Sequence, residues 1–328
     1  MSSISVPLNT EKYPQMRVLN IFRDLPAVAD LIELSFASTM DHDGQRYIAD
    51  MRRASRDDSF LHWASRMTET ASLPLSGFVW EENNHIVGNV SLVPFRDRGR
   101  RICLIANIAV HSDYRRRGIG RILTQRAMQY GWDKKTHALW LHVRDDNPGA
   151  IKLYTELGFQ EIARRTSWIA KPDLHLPAPD SDIKIVYRHS RFWPLQQGWL
   201  HRVHPGVLNW YHSLNINSLR PGFMNWLYLM FIDMNIKQWA AVRGDQLLAT
   251  LSWMPYGGKS DALFAAAGTR SEPEALTQLL IHARHALFNQ LTLSLEYPAG
   301  EMTDAFLSAG FKERRTLLWM RAEPATQA

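Results

Sequence analysis

The chain has 328 residues, enough for two ordinary domains or one large one, and its 45% hydrophobic and 21% charged content excludes general disorder. A formal charge of +6 suits a phosphate-bearing ligand, a nucleic acid or an anionic membrane alike, while a single cysteine, Cys103, excludes an intramolecular disulfide or a cysteine-rich metal site. The polar start MSSISVPLNTEKYPQ lacks the apolar core of a secretory signal, and the most apolar stretch, MNWLYLMFIDM at 224–234, is too short to span a bilayer and holds Asp233, so the expectation is a cytoplasmic protein outside the membrane.

In chain order, MRVLNIF (16–22) reads as a strand, followed by a helix from Asp24 to about Ser38 and a second from about Gln45 to Arg56. Two short strands flank the Asn-rich turn of ENNHIVGNVSLVPF (82–95). CLIANIAV (103–110) is a nearly continuous apolar run, as in a strand buried on both faces. After Gly118, the residues Ile119, Ile122, Leu123, Ala127 and Tyr130 recur at helical spacing and give one apolar face. HALWLHV (137–143) is the next buried strand, which makes a βαβ-like unit. KPDLHLPAPDSD (171–182) is rich in proline and aspartate and reads as a linker. It divides the chain into residues 1–172, a linker at 173–182, and residues 183–328.

The two halves look alike. SLVPF (91–95) matches SWMPY (252–256) in character, and LWLHVRDDNPGAIKLYTELGF (139–159) meets LSLEYPAGEMTDAFLSAGF (293–311). Each of the longer pair is a strand, a turn with proline, a short helix, then Gly-Phe entering another strand. A duplicated α/β unit with a mixed sheet is the simplest reading.

The informative segment is ANIAVHSDYRRRGIGRIL (106–123), in which Arg115-x-x-Gly118-x-Gly120 lies between a buried strand and an amphipathic helix. Amides at a helix N-terminus point outward, the dipole adds partial positive charge, and glycines remove the Cβ atoms that would hold phosphate oxygens away. Such a bend can cradle a pyrophosphate. A solvated basic turn would use the same glycines. No Gly-Lys-Ser/Thr follows, so it is no Walker loop, and the three-glycine dinucleotide pattern is missing.

With IAV (108–110), DYRRRGIG (113–120) and Asn147-x-x-Ala150-x-x-Leu153-Tyr154-x-x-x-Gly158-Phe159 in this order, residues 16–171 resemble the GNAT superfamily of N-acyltransferases. The resemblance implies a mixed sheet whose fourth and fifth strands splay apart around acetyl-CoA, which serves as co-substrate with no metal. The pantetheine would pair with the backbone of Ile108, Ala109 and Val110, and the pyrophosphate would rest on the bend formed by Arg115, Arg116, Arg117, Gly118, Ile119 and Gly120. Asn147 matches the position that meets the pantetheine, and it also reads as a helix N-cap followed by Pro148. Tyr154 matches the catalytic position that protonates the departing thiolate, with a packed helix tyrosine as the alternative. The oxyanion would meet a backbone N–H near Val110. The implied activity is acetyl transfer to a primary amine of a small molecule or peptide. The general base has no clear candidate: many relatives carry a glutamate on the fourth strand, whereas CLIANIAV has none. Asp41, His42 and Asp43 lie where relatives line the acceptor site, but DHDG is also an ordinary turn, and His111 reads as a turn residue.

The second half departs from this pattern. Phe306 stands for Tyr154, Ala299 for Asn147, and TRSEPEAL (269–276) for DYRRRGIG, which puts Glu272 and Glu274 where they would repel a diphosphate. It is expected to lack a cofactor site and to stand in for a dimer partner in a monomer, or to shape the acceptor pocket; a homodimer is the alternative assembly. His201 and His204, like His282 and His285, have helical spacing but no third metal ligand in view. A non-catalytic CoA-binding module is the second functional reading, favoured by the missing strand-four carboxylate. A nucleic-acid reader would need basic and aromatic residues interleaved on one face, and here the arginines gather instead at one helix start and at 96–101.

Overall fold

The computed structural model describes residues 12–57, 59–62, 75–177, 181–211, 216–223, 227, 230, 235–255, 261–268 and 273–324, without the side chains of residues 42, 43 and 261. The chain divides into two compact units, one of residues 1–162 with 319–328, the other of residues 163–318. Among the described residues no helix is long and apolar enough to cross a membrane.

In the first unit, β1 (Met16–Val18), β2 (Ser76–Glu82), β3 (His85–Asp97) and β4 (Arg100–Val110) pair antiparallel in that order. β5 (Ala138–Arg144) then pairs parallel with β4. The predicted strand at 16–22 is cut short at Val18 because the Asn20 side chain accepts from the Phe22 N–H at 3.0 Å and starts helix α1 (Ile21–Phe36). Helix α2 (His42–Ala54) starts on Asp41, which accepts from the Gly44 N–H at 2.9 Å. One face of α1 buries Leu25, Val28, Ala29 and Ile32 in a core with Val79 and Ala109. Helix α3 (Ile119–Asp133) covers the opposite face: a Cβ on Gly88 would meet Ile119 and Leu123 at 3.0 Å, and one on Gly131 would meet Leu139 at 2.6 Å. Helix α4 (Pro148–Glu156) follows β5.

The second unit repeats this plan. β7 (Lys184–Tyr187), β8 (Lys237–Arg243), β9 (Gln246–Met254) and β10 (Asp261–Ala267) pair antiparallel, and β11 (Leu293–Pro298) joins β10 in parallel. Its helices are α5 (Trp193–Val203), α6 (Pro273–Ala286) and α7 (Thr303–Ser308). The register shift at Trp80/Glu81 recurs at Ala241/Val242, with the spacing that relates SLVPF to SWMPY. The fold is a mixed α/β sheet arrangement built twice.

Each unit takes its last strand from the other half of the sequence. β6 (Gln160–Ala170) follows α4, yet its residues Arg165–Ala170 pair antiparallel with β11. β12 (Lys312–Ala322) follows α7, yet it stands next to β5 and its end from Trp319 belongs to the first unit. The unit boundaries therefore fall inside β6 and β12 and not in the proline-rich stretch, whose residues Lys171, Asp173 and Leu176 are tied to Arg284 and His285 of α6.

The start of α1 is fastened by an alternating charge network. Arg17 contacts Asp24 at 2.5 Å and Glu81 at 2.6 Å, and Arg23 contacts the same two carboxylates at 2.9 and 3.2 Å. Burial alone would push the Asp24 carboxyl up, but the hydrogen bonds from Arg17, the Asn20 N–H and Arg23 hold it below the usual carboxylate range. Stability from this group is therefore full above the unfolded pKa of about 4 and is lost as pH falls. Asp24→Ala is expected to cost about 2 kcal/mol at neutral pH, since it removes the buried acceptor of Arg17, Arg23 and the Asn20 N–H. In denaturant titrations the gap between variant and wild type should close on acidification; a constant gap would contradict this assignment.

Candidate cofactor and acceptor site

β4 and β5 pair only at Ile102/Ala138, Cys103/Leu139 and Leu104/Trp140. Beyond these three positions the strands part. In β4, Ser91 stands opposite Ala106 but Asn89 stands opposite Ala109, so that one extra residue is inserted. Asn107 sits in this bulge with φ +51°, a conformation asparagine tolerates better than most residues. Its Nδ2 donates to Tyr47 Oη at 2.6 Å and to Ser91 Oγ at 3.3 Å, and its carbonyl accepts from Asn89 Nδ2 at 2.9 Å. Burial pushes the Tyr47 phenol up to about 12, against the opposing bond from Asn107. β4 thus carries no carboxylate, and its bulge is pinned by a neutral amide. In the second unit, β9 and β10 run from Ser252/Phe264 to Ala249/Ala267 with no such insertion.

The bend after β4 opens directly onto α3. Gly118 is the N-cap, with φ +82° in the left-handed region, and no side chain caps the helix. The first intrahelical bond runs from Ile122 N–H to Gly118 O, which leaves the preceding amides of the first turn without helical partners. No acidic residue stands in that turn. A Cβ on Gly120 would make only ordinary contacts, 3.7 Å to Val110 and 4.0 Å to Leu153, so glycine there is not required by protein packing. The arginines divide their tasks. Arg115 Nε donates to Val110 O at 3.1 Å, Arg117 donates to Asp113 O at 3.0 Å and lies over the Tyr114 ring, and Arg121 pairs with Glu156 of α4. Arg116 is exposed at φ +65°. An uncapped helix start with bare amides, open space at Gly120 and cationic flanks fits a diphosphate.

Residues opposite one another in a strand pair share a face. Ser91, Ala106, Leu104 and Trp140 therefore lie on one face, and His142 and Arg144 follow on that face by alternation along β5. This face carries α1 and α2; the other carries α3. The His142 ring stacks on Trp319 of β12 at 4.1 Å, and the Arg321 guanidinium lies over Trp140 at 5.7 Å. Arg144 binds Asp146 at 2.7 Å, which raises its pKa, with Asp41 adding to the effect from a distance.

Asn147 accepts from the Ala150 N–H at 3.1 Å and so caps α4. Tyr154 on α4 is 7% exposed, its ring edge-on to Phe159, and burial drives its phenol well above the ordinary value. Ile108 and Val110 are half-buried and Ala109 is buried. His111 caps the short turn at Ser112–Tyr114, Glu81 belongs to the Arg17 network, and Glu82 accepts from Trp80. Asp41 is engaged as the α2 cap; the side chains of His42 and Asp43 lie outside the described residues, as do Thr269 to Glu272. His142 escaped the sequence reading, although it is the one polar side chain in the run ALWLHV. Among the described residues no group of three or more His, Cys, Asp or Glu side chains is placed to hold a metal.

Arg202 of α5 donates to Ala267 O at the end of β10 at 2.8 Å and to Glu301, just beyond β11, at 3.0 Å. Tyr297 is fully buried against Phe306, the residue that replaces Tyr154, at 5.3 Å.

Residues 37–159 match the acetyltransferase (GNAT) family. It is 40% identical over 67 residues to the ribosomal protein bS18 alanine N-acetyltransferase of Escherichia coli strain K12, covering 20% of this chain and 45% of that protein. It is 38% identical over 61 residues to the mycothiol acetyltransferase of Tsukamurella paurometabola, covering 19% and 21%. These matches span less than half the length of either relative. A GCN5-related N-acetyltransferase from Sphaerobacter thermophilus superposes with TM-score 0.55 at 16% identity, over 94% of this chain and 96% of that one, a likeness of fold across both halves.

Asn107→Ala tests the bulge. It removes both amide donor bonds and places alanine at positive φ, with an expected cost of about 2–3 kcal/mol. Urea unfolding should report it; a loss below about 0.5 kcal/mol would mean that other groups hold the bulge.

Proposed function

We propose that the chain transfers an acetyl group from acetyl-CoA to a primary amine of a small molecule or peptide. The observation that carries this reading is the uncapped start of α3, which lies immediately beside the opening between β4 and β5. The amides of Arg117 to Gly120 would hold the pyrophosphate, while the free edge of β4 at Ile108, Ala109 and Val110 would pair with the pantetheine. Asn147, besides capping α4, would meet the same arm.

The opening then holds the thioester between the strands. A backbone N–H near Val110 would steady the tetrahedral oxyanion. Tyr154 would donate its proton to the departing sulfur, and its raised pKa keeps the phenol protonated at every working pH. Direct attack by the amine needs no covalent enzyme intermediate, in keeping with the buried Cys103, whose thiol burial pushes up to about 12.

Gly120→Glu should fold normally, given the loose contacts at that Cβ, and should weaken acetyl-CoA binding by on the order of 100-fold by putting like charge at the phosphate. Calorimetric titration reads this, and unchanged affinity would remove the pyrophosphate from the bend. Tyr154→Phe should lower kcat about 100-fold or more while acetyl-CoA affinity stays within about twofold. A variant that loses affinity and keeps its turnover would make Tyr154 a packing residue. Thiol release with a panel of amines separates the enzyme from a non-catalytic CoA-binding module, the reading that a β4 without a carboxylate favours.

The cluster of Arg202, Glu301 and Tyr297, together with Glu274 in the first turn of α6, supports a single cofactor site per chain. The titration should therefore saturate near one acetyl-CoA per chain, and a stoichiometry near two would refute it.

A further inference from the structure

The first unit lacks a carboxylate on β4, yet the amine still has to lose a proton before or during attack. The pyrophosphate bend belongs to α3, on one face of the sheet, so a thioester entering the β4–β5 opening from that side leaves the opposite face for the amine. On that face, two residues beyond the last β4–β5 pair, stands His142. It is half-buried, and its ring is held at 4.1 Å against Trp319, from the last strand of the chain. The same strand places Arg321 over Trp140, so β12 backs β5 along the stretch where β4 has left it.

We infer that His142 accepts the proton of the attacking amine and that Trp319 is the residue that positions it, so that the end of the chain completes the acceptor side of the first unit's site. The inference rests on the acetyltransferase reading above. The amine nitrogen would form its bond to the thioester carbonyl carbon and pass its proton to the imidazole. As the C–S bond breaks, the electron pair would leave on sulfur and take the Tyr154 proton; the imidazolium would then give its proton to water and the Tyr154 phenolate would recover one from water. The charged groups that share the face are Arg144, paired with Asp146, and Arg321, paired with Glu323 at 2.7 Å; Asp41 caps α2 nearby, and Tyr47 stays neutral through its raised pKa.

The test uses the full-length chain and an amine that the wild type acetylates, followed by thiol release. His142→Ala should lower kcat on the order of 100-fold with the KM for acetyl-CoA within about twofold, lose the imidazole limb of the pH profile between about pH 5.5 and 8, and recover on addition of free imidazole. Trp319→Leu should lower kcat about tenfold and leave acetyl-CoA binding alone, and Trp319→Phe, which keeps a ring for stacking, should restore most of the loss. His142→Ala within about threefold of wild type, with its pH limb intact and no response to imidazole, overturns the proton-acceptor role. Should Trp319→Leu fail to fold, Trp319→Phe decides: a tenfold loss despite a retained ring would deny the stacking role. If the wild type binds acetyl-CoA but acetylates no amine, the activity and this inference fall together; if it acetylates amines and His142→Ala does too, only this inference falls.

Discussion

Two parallel strands exchange hydrogen bonds only while they keep a common course, and in this molecule β4 and β5 do so for three residues. Everything that makes the first unit chemically interesting follows from where they separate. The inserted residue at Asn107 turns the end of β4 away, and a small network of neutral amides and hydroxyls from Asn89, Ser91 and Tyr47 fixes that turn. The bare amides of α3 begin beside the end of that strand, where a Cβ on Gly120 would lie 3.7 Å from Val110.

The second unit serves as an internal control on this reasoning. It has the same strand order, the same hairpin irregularity and the same short parallel pairing between β10 and β11. What differs is the chemistry. Its β10 keeps regular pairing to Ala267, an arginine from α5 bonds to the end of that strand, and aromatic rings occupy the space beside it. A fold of this kind thus supplies a cleft as a matter of topology, and individual side chains determine whether the cleft is open.

Much of this was legible in the sequence because its signals are local. The apolar run at 103–110, the glycines at 118 and 120 and the Asn-Pro helix start at 147 each carry their meaning within a few residues, and each lies in the structure on the element expected. Other features depend on residues distant along the chain. Asn107 reads as one polar residue in a strand until its contacts with α2 and β3 are known. His142 gains significance only from Trp319, which is far away in sequence, and no periodicity announces that pairing. The proline-rich stretch looks like a boundary by composition, yet both units reach across it, because strand partners are chosen by edge and register.

That crossing over has a consequence for how the molecule comes into being. A polypeptide made from its N-terminus lays down β1 through β5 before the strands of the second unit, and the strand that flanks β5 follows only after them. Until then the nascent first half carries an open edge at β5, with Trp140 and His142 lacking their partners from β12. The first unit is thus begun before the second and completed after it.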